Sequence, residues 1–372
     1  MSNENKDDKE YTENYIENDK TQQRKIEHIN IVLNKDVQYH KKTTMFEYVK
    51  ILPKSGQISI DDVDISTTLL NKKINAPLFA SAITGGHAAT FKINRDIAIA
   101  VERIGMAMGV GSQRAMIEKP DLKYTFDVKK VANNIILIGN IGAAQTLKYG
   151  NNEIQHMLDE VNADILAVHL NPAQESVQPE GDINLKGAYN RICEIAKSIK
   201  QPVIIKEVGN GVSKEVAEKF EKRVYGIDVE GAGGTTWVGV ETYRSKGSYG
   251  NAFWDWGIPT ALSLLEVKSV FSGSTWASGG IRTPTDIMKA LALGADLCGM
   301  AKPVLEAQNR NGVEGVYQLF LNLSTGLKEE MAKLGYHSIK ELAGAKVEIN
   351  GVLAKLVKQR DLKLNKNIKL IL

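Results

Sequence analysis

The chain has 372 residues, 43% of them hydrophobic, enough for one large core without division into several domains. Its 47 basic and 44 acidic side chains leave a formal net charge of +3, too near balance for a concentrated basic face, so no nucleic-acid partner is expected. Two cysteines, Cys193 and Cys298, argue against a disulfide framework; no apolar run approaches the ~20 residues of a membrane span, and the first residues lack a signal peptide's apolar core, so the cytoplasm is the expected compartment.

Residues 1–23 carry seven acidic and three basic side chains and almost nothing large and apolar. Such a segment cannot repay its ordering entropy by burial, and a disordered acidic tail is expected. At Arg24 and Lys25 the charge changes sign, and apolar periodicity starts with Ile26, Ile29 and Leu33. The rest, 24–372, reads as a single domain. Up to Lys73 the pattern predicts an opening element and short strands at 46–52 and 64–69, covering one end of the core.

From Pro77 onward, β-rich apolar runs recur at 77–81, 107–110, 135–139, 165–169, 203–206, 224–229, 275–277 and 296–300. Helical patterns lie between them at 93–104, 154–161, 188–199, 213–222 and 260–268. Nearly all-apolar strands alternating with helices call for a parallel sheet covered by helices. Eight repeats over roughly 250 residues is the size of a (β/α)8 TIM barrel, whose site lies at the strand carboxyl ends. A doubly wound open sheet is the competing architecture. The connection 231–259 is much longer than usual, with Trp237, Trp254 and Trp256, and reads as a lid or binding loop.

The strand ends carry the chemistry. The first reads Ala82, Ile83, Thr84, Gly85, Gly86; the second brings Ser112, Gln113 and Arg114 together, and an arginine fork suits phosphate oxygens. The third ends at Asn140. In the fourth run Ile165, Ala167, His169 and Asn171 share a face, so apolar packing gives way to polar groups at the mouth, with Gln174 and Glu175 just beyond. Glu175 is a candidate Mg2+ ligand beside a diphosphate, since hard oxygen donors suit that ion. Lys206 ends the fifth run on the face of Ile204. A lysine inside a barrel needs an anion, either an anionic cofactor or an internal carboxylate such as Glu207 or Asp228. The sixth end is Gly-rich, from Gly231 to Thr235.

The last two strands frame a further Gly-rich turn. Gly279 and Gly280 offer backbone N–H groups, Arg282 adds a cation, Thr283 reads as an N-cap, Pro284 as the first helical residue and Gly294 as the end. With the final strand ending in Gly299, Met300 and Ala301, this makes a phosphate-binding pair of loops.

On these residues the chain resembles the FMN-dependent barrel enzymes and, among them, the type 2 isopentenyl diphosphate isomerases. The resemblance spans residues 24 to about 332. It rests on Arg24, Lys25 and His28; Thr84-Gly85-Gly86; Gly109 to Arg114; His169-x-Asn171 with Gln174-Glu175; Lys206-Glu207-x-Gly209; Gly231-x-Gly233-Gly234-Thr235 with Trp237; Asp255-Trp256-Gly257; and Gly279-Gly280-Ile281-Arg282. It implies conversion of isopentenyl to dimethylallyl diphosphate in isoprenoid biosynthesis, with reduced FMN as acid and base, NADPH as the common reductant, and homotetramers or homooctamers. It also implies that Ala82, Ile83, Thr84, Ser112, Asn140, Lys206 and Thr235 surround the flavin ring and ribityl chain, while Gly280, Ile281, Arg282, Ala301 and Lys302 take its phosphate. Arg24, Lys25, Ser112, Gln113 and Arg114 would hold the diphosphate with His169 and Asn171 nearby, Mg2+ on Glu175, and Gln174 beside the alkene. Gln174, His169 and Lys206 are the implied catalytic groups. Ile83, Lys302 and Glu230 depart from the family pattern.

Two other flavin-barrel chemistries lack their residues. A hydroxy-acid oxidase wants a late His-Gly-Gly-Arg element, and an inosinate dehydrogenase a loop cysteine after the sixth strand. A non-catalytic flavin- or phosphate-binding regulator stays open.

Overall fold

The computed structural model describes residues 20–54, 56, 58–245 and 249–372. Eight parallel strands follow one another around a ring: β1 (Leu78–Ala80), β2 (Ala107–Gly109), β3 (Ile136–Gly142), β4 (Ile165–His169), β5 (Val203–Lys206), β6 (Gly226–Asp228), β7 (Ser274–Ala277) and β8 (Leu297–Met300). β8 pairs back onto β1, Cys298 opposite Leu78 and Met300 opposite Ala80. That pairing closes the barrel and disposes of the open-sheet alternative.

The alternation of side chains explains the two cores. Phe79, Ala107, Ile136, Ile138, Ile165, Ala167, Ile204, Trp276 and Leu297 point inward and fill the barrel. Their neighbours Leu78, Ala80, Leu137, Leu166, Val168, Ile205 and Ile227 point outward under the helices. Five helices matter for the site: α1 (Lys20–Asn34), α2 (Ala88–Ile104), α3 (Trp237–Ser245), α4 (Pro284–Ala292) and α5 (Lys302–Leu334). The remaining helices expected between strands appear at Asn151–Asp159, Ala188–Ser198, Lys214–Phe220 and Thr260–Lys268.

Several boundaries differ from expectation. Residues 1–19 of the expected tail lie outside the described residues, and Lys20 to Gln23 belong to α1. The run 46–52 divides into a 3-10 turn, Phe46–Tyr48, and a strand, Val49–Ile51, that pairs with Val347–Ile349 near the carboxyl end. In 64–69 only Thr67–Leu69 is strand, forming a hairpin with Lys72–Ile74. Its two turn residues, Leu70 and Asn71, both have positive φ, as a two-residue hairpin turn requires. Leu69 and Ile74 join the interior cluster and stopper the amino-terminal end of the barrel. The long connection 231–259 is not an open loop: it holds α3 and a short helix, Tyr249–Phe253. Both cysteines are buried free thiols.

Candidate active site

Two residues beyond the apolar layer, the inward face turns polar. Ser81 after Phe79, Asn140 after Ile138, His169 after Ala167, Lys206 after Ile204 and Ser278 after Trp276 all line a large cavity of about 180 Å3 at the strand carboxyl ends. The packed barrel beneath it leaves a void of only about 10 Å3. β4 and β5 lie in register, so His169 stands opposite Lys206, and Lys206 opposite Asp228 on β6.

His169 has a defined tautomer. Asn140 donates through Nδ2 to the Val110 carbonyl (3.1 Å), so its Oδ1 accepts from His169 Nδ1 at 2.8 Å. Nδ1 carries the proton and Nε2 is left as an acceptor. Burial, with Lys206, Lys25 and Arg24 nearby, drives the imidazole pKa down to about 3, so it is neutral.

Beyond β4, Pro172 starts a short helix, Pro172–Val177, that fans out the next polar groups. Asn171 Nδ2 donates to Gln174 Oε1 (3.2 Å) and to Glu175 Oε1 (2.8 Å). Glu175 Oε2 accepts from the Asp182 backbone (2.7 Å). Gln174 Nε2 donates to Glu241 Oε1 at 3.0 Å. Glu241, on α3 and wholly buried, also accepts from His28 Nε2 (2.8 Å) and from Arg244 Nη1 (2.6 Å). Burial alone would raise its carboxyl, but the hydrogen bond and charge of His28, the Gln174 hydrogen bond and the Arg244 charge outweigh it and hold the pKa at about 2. Burial lowers the His28 pKa, while the Glu241 hydrogen bond and charge work to raise it.

α1 brings the cations. Arg24 and Lys25 line the cavity with Arg114 from the β2 end. Arg24 lies 3.5 Å from Glu180, and Arg114 3.2 Å from Glu118. Lys25 has no carboxylate partner among the described residues, and burial plus repulsion by Arg24 and Arg114 push its pKa down to about 7. Arg244 ties α1 to α3 through Glu27 (2.9 Å), and His28 meets the Trp237 ring edge-on at 5.1 Å.

On the opposite side, the β6 and β7 turns interlock. Gly279 and Gly280 have φ of +90° and +77°, and a Cβ on Gly234 would sit 2.4 Å from the Gly280 nitrogen. The amino terminus of α4 is already filled: Thr283 and Asp286 form a reciprocal capping box. α5 starts at Lys302 after Ala301 with no side-chain cap, leaving its first N–H groups open to an anion. Lys302, at a position noted as a departure, lies 3.8 Å from Glu306.

Of the residues expected at the site, all but one line this cavity: Arg24, Lys25, Ala82, Ile83, Thr84, Ser112, Arg114, Asn140, His169, Asn171, Gln174, Glu175, Lys206, Thr235, Gly280, Ile281, Arg282, Ala301 and Lys302. Gln113, expected on the diphosphate, is the correction. Its side chain is fully buried beneath the floor, where Oε1 accepts from the Asn140 backbone at 2.9 Å. Lys206 has an internal ion pair, but with neither Glu207 nor Asp228: Nζ lies 2.5 Å from Glu230 Oε2. Glu207 turns its carboxylate to the Val208 backbone instead.

A model of the FMN-dependent dehydrogenase family matches residues 143–349. The isopentenyl-diphosphate delta-isomerase of Pyrococcus furiosus is 42% identical over 358 residues, covering 92% of this chain and 91% of that protein. The chain belongs to the isopentenyl-diphosphate delta-isomerase family. A second member, from Methanothermobacter thermautotrophicus, is also 42% identical and is covered over 97% of its length. Among solved structures, a mutant flavocytochrome b2 with pyruvate bound aligns with a TM-score of 0.62 at 21% identity, over 85% of this chain and 80% of that one. At that identity the likeness is one of fold.

Behind the cavity wall, the sequence pattern did not point to Glu241, which holds the lining residues His28 and Gln174. A signal existed: Trp237 and Glu241 are four residues apart and share a helical face, but the segment read as a loop.

Proposed function

We propose that the chain converts isopentenyl diphosphate to dimethylallyl diphosphate, a 1,3-allylic rearrangement in isoprenoid biosynthesis, with reduced FMN seated across the strand ends. The observation that carries this reading is one cavity with two anion-holding poles. Gly279, Gly280, Arg282 and the open start of α5 suit a single phosphate. Arg24, Lys25 and Arg114 suit a diphosphate. Between them lie Gln174, which does not titrate, and His169, which is neutral, with the ionised Glu241 buried behind Gln174. None of these protonates an alkene.

The residues present fit FMN. Ser81 Oγ and Thr84 Oγ1 line the cavity, buried and without a hydrogen-bond partner, and the interlocked Gly234 and Gly280 leave backbone where side chains would block a phosphate. When bound, reduced FMN supplies the transferable proton and an electron-rich face against the developing cation. The chain supplies alignment and dryness. Ala82, Ile83, Thr84, Ser112, Asn140 and Thr235 enclose the ring and ribityl chain; Gly280, Ile281, Arg282, Ala301 and Lys302 take the phosphate. Lys206 brings positive charge to the ring side. Arg24, Lys25, Ser112 and Arg114 orient the diphosphate, with His169 Nε2 and Asn171 alongside. Gln174, its amide held by Glu241, is the relay group beside the alkene. Gln113 acts indirectly, by fixing Asn140 and through it the His169 tautomer.

Among the described residues no group of three or more His, Cys, Asp or Glu could hold a metal. Mg2+ is proposed on Glu175, with phosphate oxygens and waters completing its shell. NADPH is the proposed reductant, a homotetramer or homooctamer the proposed assembly, and the cytoplasm the proposed compartment. No described helix is long and apolar enough to cross a membrane.

The test is anaerobic incubation of the purified chain with FMN, Mg2+, NADPH and isopentenyl diphosphate. Dimethylallyl diphosphate should accumulate. A chain that binds FMN yet turns over no diphosphate is a flavin-binding regulator, and one that takes up no flavin refutes the reading.

A further inference from the structure

The floor of the cavity holds an arrangement that the reaction does not call for. Lys206 is surrounded by three acids, Glu207, Asp228 and Glu230, all buried. Its ammonium donates to Glu230 Oε2 (2.5 Å) and to the Glu207 carbonyl (2.9 Å), so two of its three hydrogens are engaged by the protein. Glu230 reaches it from a strained backbone, with φ of +32° at a residue that is not glycine. Hydrogen bonds hold it there: its carbonyl accepts from Gly209 (2.9 Å) and Gly211 (3.2 Å), and its N–H donates to Asp228 Oδ1 (3.3 Å). A glycine would relax this position. The chain instead keeps a carboxylate, on the wall of the cavity, against the one lysine that faces the ring side.

We infer that Glu230 is a positioning residue that offsets the Lys206 charge, so that the reduced flavin is not fully compensated as an anion and keeps its proton more readily. The inference rests on the FMN reading above. Of the three acids Glu230 is the one paired with the ammonium: Glu207 accepts from the Val208 backbone instead, and Asp228 from Ser278 Oγ and the Glu230 N–H. An ammonium with no carboxylate would favour a negative charge on the ring; one bonded to Glu230 favours it far less, because in this buried setting a unit charge a few ångströms away is weakly screened. A cofactor asked to donate a proton is better served by the paired lysine.

The test compares the full-length FMN-loaded chain with Glu230→Gln, which keeps shape and a hydrogen bond but not charge, and Glu230→Gly, which suits the positive φ and preserves folding. Midpoint potentials are read by dye equilibration, and the ionisation of the reduced flavin from its absorbance across pH. Both variants should bind reduced over oxidised FMN about tenfold better than the parent does, about +30 mV for a two-electron couple, and the reduced flavin should ionise at lower pH. A purely structural role leaves Glu230→Gln at the parent potential, and that result overturns the assignment, as does a downward shift in either variant. A parent chain that takes up no FMN overturns the functional reading and this inference with it; a yellow parent whose potential matches both variants overturns this inference alone.

Discussion

Glu241 offers the sharpest test of how the site is held together. Its carboxylate accepts from His28, Gln174 and Arg244 at 2.8, 3.0 and 2.6 Å, and its pKa falls from the model-compound value of 4.5 to about 2. Holding the carboxyl that far below its ordinary value corresponds to about 3 kcal/mol of stabilisation by the anion, in the range found when one partner of a buried ion pair is removed. The direction in pH follows from the depressed folded-state value. The stabilisation is fully present well above the unfolded pKa and drains away as pH falls toward the folded one. Glu241→Gln should therefore lose about 3 kcal/mol in urea unfolding at pH 7 and only about 2 kcal/mol at pH 3.5. Because Gln174 is then held by a neutral acceptor instead of a carboxylate, kcat should fall more than KM rises. A loss below about 1 kcal/mol that stays constant between the two pH values would refute the assignment of Glu241 as the anionic hub.

Lys25, lowered to about 7 by burial and by Arg24 and Arg114, should regain its proton when an anion enters. Titrating inorganic pyrophosphate calorimetrically at pH 8 in buffers of different ionisation enthalpy should show uptake of nearly one proton per site, and Lys25→Met should abolish it. Glu175→Gln should raise the Mg2+ concentration needed for half-maximal turnover, read by titration at saturating substrate; an unchanged titration removes that role. Gly234→Ala puts a methyl 2.4 Å from the Gly280 nitrogen. It should spread the two loops and weaken FMN binding by at least about tenfold in fluorescence titration. Asn140→Leu removes the acceptor that fixes His169 Nδ1 and also the pair's bond to Val110, so KM for the diphosphate should rise while FMN affinity changes less, checked by steady-state kinetics and flavin titration.

The readable parts of the site were those that obey alternation along a strand. In β4 the order Ile165, Ala167, His169 puts the imidazole at the mouth once the chain is extended, and β5 does the same for Ile204 and Lys206. α3 was not readable, because Gly239 and the glycines before Trp237 mask a weak apolar stripe, and with it went Glu241. Gln113 was misplaced because adjacent residues in a turn need not point the same way: Ser112 faces the cavity while Gln113 tucks beneath it. The partner of Lys206 was missed for a backbone reason, since the left-handed turn at Glu230 that swings its carboxylate onto the lysine leaves no trace in a pattern of apolar and polar letters.

The order of residues by itself determined the eight-fold repeat, the inward and outward faces of each strand, and which strand ends carry polar groups, because hydrophobic period and glycine placement are local properties. Tertiary structure alone decided which of those polar groups touch. Closure of β8 onto β1 brings the Ala82 and Ala301 ends side by side, α1 folds back over the mouth to add Arg24 and Lys25, and α3 drops one buried carboxylate between them. These contacts join residues up to some two hundred positions apart, and only packing in three dimensions brings them within hydrogen-bonding distance.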